Sequence, residues 1–478
     1  MGFIYGLAVI LFIFEGIIIQ CEGANVTLSK RIQNTPTDDI QGDQPFLPND
    51  LIEAIISKAD FKTIQTAVRS GIVPANYIVL SGMLQDRIFL CLPEFNTGIQ
   101  EDYQAGNHFL TFGNLQTLNS FLDKFGSQVK KIAMNLDRCS DIQRKEIIQN
   151  IIKRYANNLE ELGIHTFIYQ GFWREISNEG IDIIFPKVKK FTFEGVSSQN
   201  ELKLHMIFPK LESLQLHGIV ADENCLANVK GLKELTLRTN NTIGEHQQEN
   251  IFANNKNITK IFLSWPQMAE TMHSIAKYLT KLETLEVEFP GENFLVRTNN
   301  NEVYQLPLVT HFAISHFLDE KIIIENPSFN MPILKKLTIS RLYFGSRIVN
   351  FIKHFKKLEI VELYVNWFNA VECIEKLRHI KEFTTHFLRS EFESLQQFVL
   401  LKNMFEHFDK ESKLQTLKFV HYNESLYQTY EDEMKEINIQ LEKSMKPTWT
   451  LSHGEQFGTR EKYLMFERDP CKCKSCKK

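Results

Sequence analysis

Apolar and polar positions along the chain fall into one recurring phrase, apolar-x-x-apolar-x-apolar. It reads Val188-Phe191-Phe193, Leu211-Leu214-Leu216, Leu232-Leu235-Leu237 and Ile258-Ile261-Leu263, then Leu282-Leu285-Val287, Val309-Phe312-Ile314, Leu334-Leu337-Ile339 and Leu358-Val361-Leu363. The first positions are separated by 23, 21, 26, 24, 27, 25 and 24 residues. Within each phrase the last three positions alternate with period two, which predicts a strand with one buried face. Pro186, Pro209, Pro307 and Pro332 stand two residues before the first apolar position. Proline lacks an N–H and is tolerated in a sheet mainly where a strand begins, so the prolines fix where each strand starts. Between the phrases the period changes to that of a helix. Met268, Met272, Ile275 and Leu279 share one face, as do Ile348, Phe351, Ile352 and Phe355.

The pattern blurs but continues at both ends. Leu115 to Phe125 reads as a helix stopped by Gly126 and leads into the strand phrase Val129-Ile132-Met134. A longer helix follows, with Ile147, Ile148, Ile151, Ile152, Tyr155 and Leu159 on one face, and the next strand phrase is expected at Ile164-Phe167-Tyr169. Beyond Leu363 the phrase weakens to Ile380-Phe383-Thr385 and Leu414-Leu417-Phe419, and residues 424–445 read as a closing amphipathic helix. A strand-plus-helix unit repeating every twenty-odd residues on L-x-x-L-x-L is the signature of a leucine-rich repeat. The expected fold class is therefore α/β: an irregular leucine-rich-repeat solenoid over residues 96–445, with a curved parallel sheet and helices on its convex side. No single repeat buries enough to stand alone, so the array needs caps at its ends.

Composition narrows the function classes. The chain has 478 residues, and 54 Lys and Arg against 58 Asp and Glu leave a net charge of −4, which gives no reason to expect nucleic acid as a partner. There are 37 phenylalanines, most at positions a leucine would otherwise take. No phosphate loop, dinucleotide fingerprint, H-E-x-x-H or G-x-S-x-G occurs, so the expectation is of no enzyme, no catalytic residue, no cofactor and no metal site. His217, His311 and His386 fall beside the apolar strand positions and read as surface histidines. Cys471, Cys473 and Cys476 close the C-terminal tail, residues 446–478. They offer three thiolates where a structural zinc site wants four ligands, so a basic tail is the preferred reading.

Compartment signals conflict. Residues 1–24 hold an apolar run from Phe3 to Ile19 interrupted by Glu15, followed by small Gly23 and Ala24. This is the outline of a secretory signal peptide. A membrane anchor and a non-functional leader are the other readings, and no stable membrane span is expected from so short a run. Without Cys21, seven cysteines remain, an odd number scattered singly, which points to a reduced compartment.

After a polar linker at 25–45, residues 46–95 predict short amphipathic helices, with Pro48 near a helix start and apolar pairs at Leu51/Ile52 and Ile55/Ile56. The run Leu47-Pro48-Asn49-Asp50-Leu51-Ile52 resembles the F-box. As a family, F-box proteins use this module to dock a Skp-type adaptor of a cullin ubiquitin ligase. The resemblance implies adaptor docking through Leu47, Pro48, Leu51, Ile52, Ile55 and Ile56. It departs from the family at Ala59, where a larger apolar residue is usual, and in having no tryptophan in the third helix. An F-box-like cap ahead of leucine-rich repeats implies a substrate-recognition subunit, cytoplasmic or nuclear, whose repeats hold a target protein. The alternative, resting on residues 1–24, is a secreted or luminal repeat protein that binds proteins and has no ubiquitin role.

Residues alternating with the strand leucines should form columns on the sheet's open face. One column is Glu194, His217, Arg238, Ser264, Glu288, Ser315, Ser340, Tyr364 and His386, and the next is Thr192, Gln215, Thr236, Phe262, Glu286, Ala313, Thr338, Glu362 and Thr384. Aromatic and arginine anchors dominate protein interfaces, so Arg238, Phe262, Trp265 and Tyr364, with acidic Glu286, Glu288 and Glu362, are the expected partner-binding residues.

Overall fold

The computed structural model describes residues 88–91, 108–111, 115–137, 139–166, 183–197, 203–220, 223–226, 228–239, 245–264, 268–289, 303–316, 329–340, 351–364, 379–386, 405, 413–420, 427–443, 448–455 and 462–469. All lie within the unit Phe61–Lys478.

In chain order the strands are β1 (Ile88–Cys91), β2 (His108–Thr111), β3 (Lys131–Asn135), β4 (Glu161–Thr166), β5 (Lys190–Ser197), β6 (Ser213–Val220), β7 (Glu234–Thr239), β8 (Lys260–Ser264) and β9 (Thr284–Phe289). They continue as β10 (Tyr304–Gln305), β11 (His311–His316), β12 (Phe329–Asn330), β13 (Lys336–Ser340), β14 (Ile360–Tyr364), β15 (Glu382–His386), β16 (Thr416–Val420), β17 (Trp449–Glu455) and β18 (Lys462–Arg468). Among the described residues, sixteen of these form one sheet, ordered β17-β18-β16-β15-β14-β13-β11-β9-β8-β7-β6-β5-β4-β3-β1-β2. Within this sheet, from β3 to β16 and passing over β10 and β12, each strand lies parallel to the next, the topology of a leucine-rich-repeat solenoid.

The phrase residues meet in register. Phe191, Leu214, Leu235, Ile261, Leu285, Phe312, Leu337, Val361, Phe383 and Leu417 stack as one buried row through the core. A second ladder runs along the edge where the strands start. The carbonyl of Lys189 accepts from the N–H groups of Glu212 and Ser213, that of Glu212 from Lys233 and Glu234, and that of Lys233 from Thr259 and Lys260. The same doubled acceptance recurs from Lys130 to Lys381, so each repeat satisfies its neighbour's backbone before the strand begins. Toward both ends of this rim, on either side of Thr259, Glu283 and Thr310, side chains alternate in sign: Lys130 pairs with Glu160 at 2.9 Å, Glu212 with Lys233 at 2.7 Å, and Glu359 with Lys381 at 2.9 Å. The hydrogen bond from Lys233 holds the Glu212 carboxyl below its ordinary range, and that from Lys381 does the same for Glu359.

Helices back the buried face. α1 (Leu115–Phe125), α2 (Asp141–Glu146), the single turn α3 (Leu204–Ile207), α4 (Glu245–Asn254), α5 (Met268–Tyr278) and α6 (Tyr427–Lys443) are described. α2 begins in a capping box, where Ser140 Oγ accepts from the Gln143 N–H and Gln143 Oε1 accepts from the Ser140 N–H. It runs directly into a π-helical stretch, Ile147–Lys153. Isoleucines in pairs four residues apart, 147/148 and 151/152, are all fully buried. A spacing of four exceeds the 3.6-residue α turn, and the wider π winding keeps both pairs against the core. Between α4 and α5, Gln248 Oε1 accepts a buried hydrogen bond of 2.6 Å from Thr271. Asn255 ties three segments: Nδ2 donates to the carbonyls of Val229 and Ile251, and Oδ1 accepts from Leu232. Ahead of β11 and β13 the backing is not helical at this point, because β10 and β12 pair in parallel there under a Tyr304–Phe329–Phe312 aromatic cluster.

Three features depart from the sequence reading. The strand after the π-helical stretch is Glu161–Thr166, so its phrase is Leu159-Leu162-Ile164 and the step from Val129 is 30 residues rather than 35. Two overlapping phrases compete there, and the chosen one buries Leu159, Leu162 and Ile164 completely. At the other end, Trp449–Glu455 and Lys462–Arg468 form strands inside the stretch expected to be tail. β18 pairs antiparallel with β16, and β17 pairs antiparallel with β18. Asn438 of α6 grips Trp449 through both its amide groups, and Asp469 accepts from Thr448 and Thr450 at 2.6 Å each. Phe405, Phe419, Phe466 and Trp449 fill the space beneath. Finally β1, inside the segment expected to be an F-box-like domain, joins the repeat sheet between β3 and β2.

Two glycines shape the ends of the long strands β5 and β6. Gly195 pairs with Thr166 on one side and Gly218 on the other. Gly218 has φ of +112°, and a Cβ on it would fall against the Gly195 carbonyl; one on Gly195 would fall against the Thr166 carbonyl.

Candidate functional face

The open face is the side of the sheet opposite the buried leucines. Register places Thr192, Gln215, Thr236, Phe262, Glu286, Ala313, Thr338, Glu362 and Thr384 in one continuous row. Glu194, His217, Arg238, Ser264, Glu288 and Ser315 follow in the next, with Tyr364 beside His386 further along. A third row, which the sequence reading did not assemble, lies where the strands start: Lys190, Ser213, Glu234, Lys260, Thr284, His311, Lys336, Ile360 and Glu382.

At the middle of this face Arg238 lays its guanidinium over the Phe262 ring, 4.4 Å from the centroid. The contact holds both side chains in fixed positions on adjacent strands. On β9, Glu286 stands 4.0 Å from Lys260 at the outer limit of an ion pair, and Glu288 has no ion pair among the described residues. Glu362 accepts from His386 at 2.9 Å. That hydrogen bond, with the charges of His386, Lys336 and Lys418, holds its carboxyl below the ordinary range against the opposing effect of burial.

Two of the three histidines expected at the surface are not there: His217 and His386 are buried and His311 is half-buried, while His165, which the shifted register had hidden, is buried as well. His165 lies in the same row as Glu194, with Nδ1 3.0 Å from Glu194 and Nε2 3.4 Å from Asp137. All three side chains are at least 87% shielded from solvent. Its signal in the sequence was the alternative phrase Leu159-Leu162-Ile164, which places His165 in the column of Glu194. The two carboxylates approach opposite ring nitrogens, so they do not converge on one ion. Among the described residues no group of three His, Cys, Asp or Glu side chains is arranged to hold a metal.

His311 sits between Lys260 and Lys336 in the third row. Burial, reinforced by those two ammonium groups and opposed by Glu362, pushes its pKa down to about 4. The folded state therefore resists a proton that the unfolded chain takes up below pH 6.5, and stability falls as pH drops from about 6.5 to 4. His311→Asn should flatten this part of the pH–stability curve without changing stability above pH 7.5. An unaltered acid slope in urea titrations from pH 4 to 8 would contradict the assignment.

Leu47, Pro48, Leu51, Ile52, Ile55 and Ile56, the leader 1–24, Trp265 and the cysteines 471, 473 and 476 lie outside the described residues, as does the Tyr364 side chain. Among the described residues no helix is long and apolar enough to cross a membrane. No protein-family model matches the sequence, and no curated protein does. Among solved structures the chain is similar to an internalin (inlF) from Listeria monocytogenes str. 4b F2365, at 12% identity and a TM-score of 0.31, over 60% of this chain and 78% of that one.

Proposed function

We propose that this chain works by binding rather than by chemistry, as a recognition subunit that holds a target protein on the open face of its repeats. The observation that carries this reading is the Arg238–Phe262 stack at the centre of the face, flanked by Glu286 and Glu288. An exposed guanidinium fixed on an aromatic ring, with carboxylates one and two strands away, is the composition of an interface centre. The second half of the proposal rests on the F-box resemblance of residues 46–95. Through Leu47, Pro48, Leu51, Ile52, Ile55 and Ile56 the chain docks a Skp-type adaptor, in the cytoplasm or nucleus, and presents its target to a cullin ubiquitin ligase. The secreted or luminal reading is supported by residues 1–24, and an endoglycosidase-sensitive mass shift at the N-x-T triplet Asn257-Ile258-Thr259 would favour it.

Two sets of substitutions separate the halves. Leu51→Asp with Ile55→Asp should abolish recovery of the chain by the adaptor while leaving the repeats folded; normal recovery would remove the ligase reading. Arg238→Ala with Phe262→Ala should keep adaptor recovery and lengthen the half-life of the captured target several-fold. Unchanged target turnover would move the binding surface elsewhere.

A further inference from the structure

One part of the open face has a defined width and two poles. Between Phe262 on β8 and Glu362 on β14 the intervening strands β9, β11 and β13 carry Glu286, Ala313 and Thr338 in the same row, with Ser315 next to Glu288 in the row beyond. Ala313, Ser315 and Thr338 are short, so the face dips between two walls. One wall is Glu286 with Glu288, beside the Arg238–Phe262 stack, and the other is Glu362, backed by the buried His386. Three strand spacings separate the walls, about 14 Å between backbones. An extended chain underfills that width, whereas an α-helix of about 10–12 Å diameter fills it.

Charge divides along the strands. Lys260 and Lys336 stand where the strands begin, and His311 between them stays neutral at pH 7. Toward the strand ends stand Glu286, Glu362 and then Glu288. The basic and acidic poles are separated by up to four residues of strand, about 13 Å.

We infer that this trough seats one α-helix of the target protein, lying along the strands, with basic side chains over Glu286 and Glu288 and acidic side chains over Lys260 and Lys336. In a helix the two sets return to the same face about 7 or 11 residues apart, a rise of about 10–16 Å that spans the poles. The inference deepens the recognition reading above and rests on its choice of face.

The probe is an alanine-based helical peptide with two arginines and, about 11 residues further on, two glutamates on the same face. Its binding to the full chain is measured by fluorescence anisotropy at low salt. We expect saturable binding that weakens at least tenfold with Glu286→Gln plus Glu288→Gln, and equally with Ser315→Trp, which fills the floor without changing charge. A peptide with glutamate at all four positions should bind at least tenfold more weakly, as should the original composition broken by a central proline. Equal binding of the proline peptide would overturn the helical occupant, and indifference to Ser315→Trp would overturn the trough. Either failure leaves the recognition reading intact if Arg238→Ala with Phe262→Ala still stabilises the cellular target.

Discussion

Gly218→Ala is expected to destabilise the repeats by roughly 3 kcal/mol or more, among the largest effects of any single methyl group here. Two costs combine. The backbone at Gly218 has φ of +112°, a conformation L side chains rarely adopt, and the new Cβ would be driven into the carbonyl of Gly195 on the adjacent strand. Gly195 has little room to give way, because a Cβ on it would itself meet the carbonyl of Thr166 on the strand beyond. Gly231 provides the control: its φ is +86°, but a Cβ there meets nothing within 4 Å. Gly231→Ala should therefore carry only the conformational cost, about 1 kcal/mol. Urea unfolding of the two variants, followed by hydrogen exchange in β5 and β6, separates the contributions. Equal losses in the two proteins would show that the close approach costs nothing.

His165→Leu is expected to cost about 2–3 kcal/mol, the penalty for replacing a buried polar ring between two carboxylates with a hydrocarbon. The imidazole lies between Asp137 and Glu194, and leucine leaves both carboxylates facing a hydrocarbon. If the loss comes from the carboxylates rather than from shape, adding Asp137→Asn and Glu194→Gln to His165→Leu should restore part of it. A single variant within 1 kcal/mol of the parent by urea denaturation at pH 7 would refute the clamp, and a triple variant no better than the single one would assign the loss to packing.

Much of the architecture was legible because a strand with one buried face leaves a period-two mark and the prolines located its start. The row from Phe191 to Leu417 and both columns of the open face followed from spacing alone. Spacing failed where two phrases overlapped: Leu159-Leu162-Ile164 and Ile164-Phe167-Tyr169 share a residue, and only packing against β3 and β5 chooses between them. That slip of five positions removed His165 from its column and hid the carboxylate pair around it. The burial of His217 and His386 was equally invisible, since a residue's alternation says which way it faces but not what lies over it. The strands Trp449–Glu455 and Lys462–Arg468 escaped because antiparallel closing strands need no leucine phrase. Trp449, Leu464 and Phe466 are buried in a different rhythm from the repeats.

The rim where the strands begin gives the first part of the array a parity. From Lys130 through Glu160, Lys189 and Glu212 to Lys233 neighbouring repeats present opposite charges in turn, until Thr259 and Thr310 interrupt the series ahead of Lys335, Glu359 and Lys381. Excising the single repeat that carries Lys189 would set Glu160 against Glu212, whereas excising the two that carry Lys189 and Glu212 would set Glu160 against Lys233 and keep the alternation. Each surface contact is worth less than about 1 kcal/mol, but like charges held in fixed register accumulate. Descendants shortened between Lys130 and Lys233 should therefore tolerate the loss of an even number of repeats better than of an odd one.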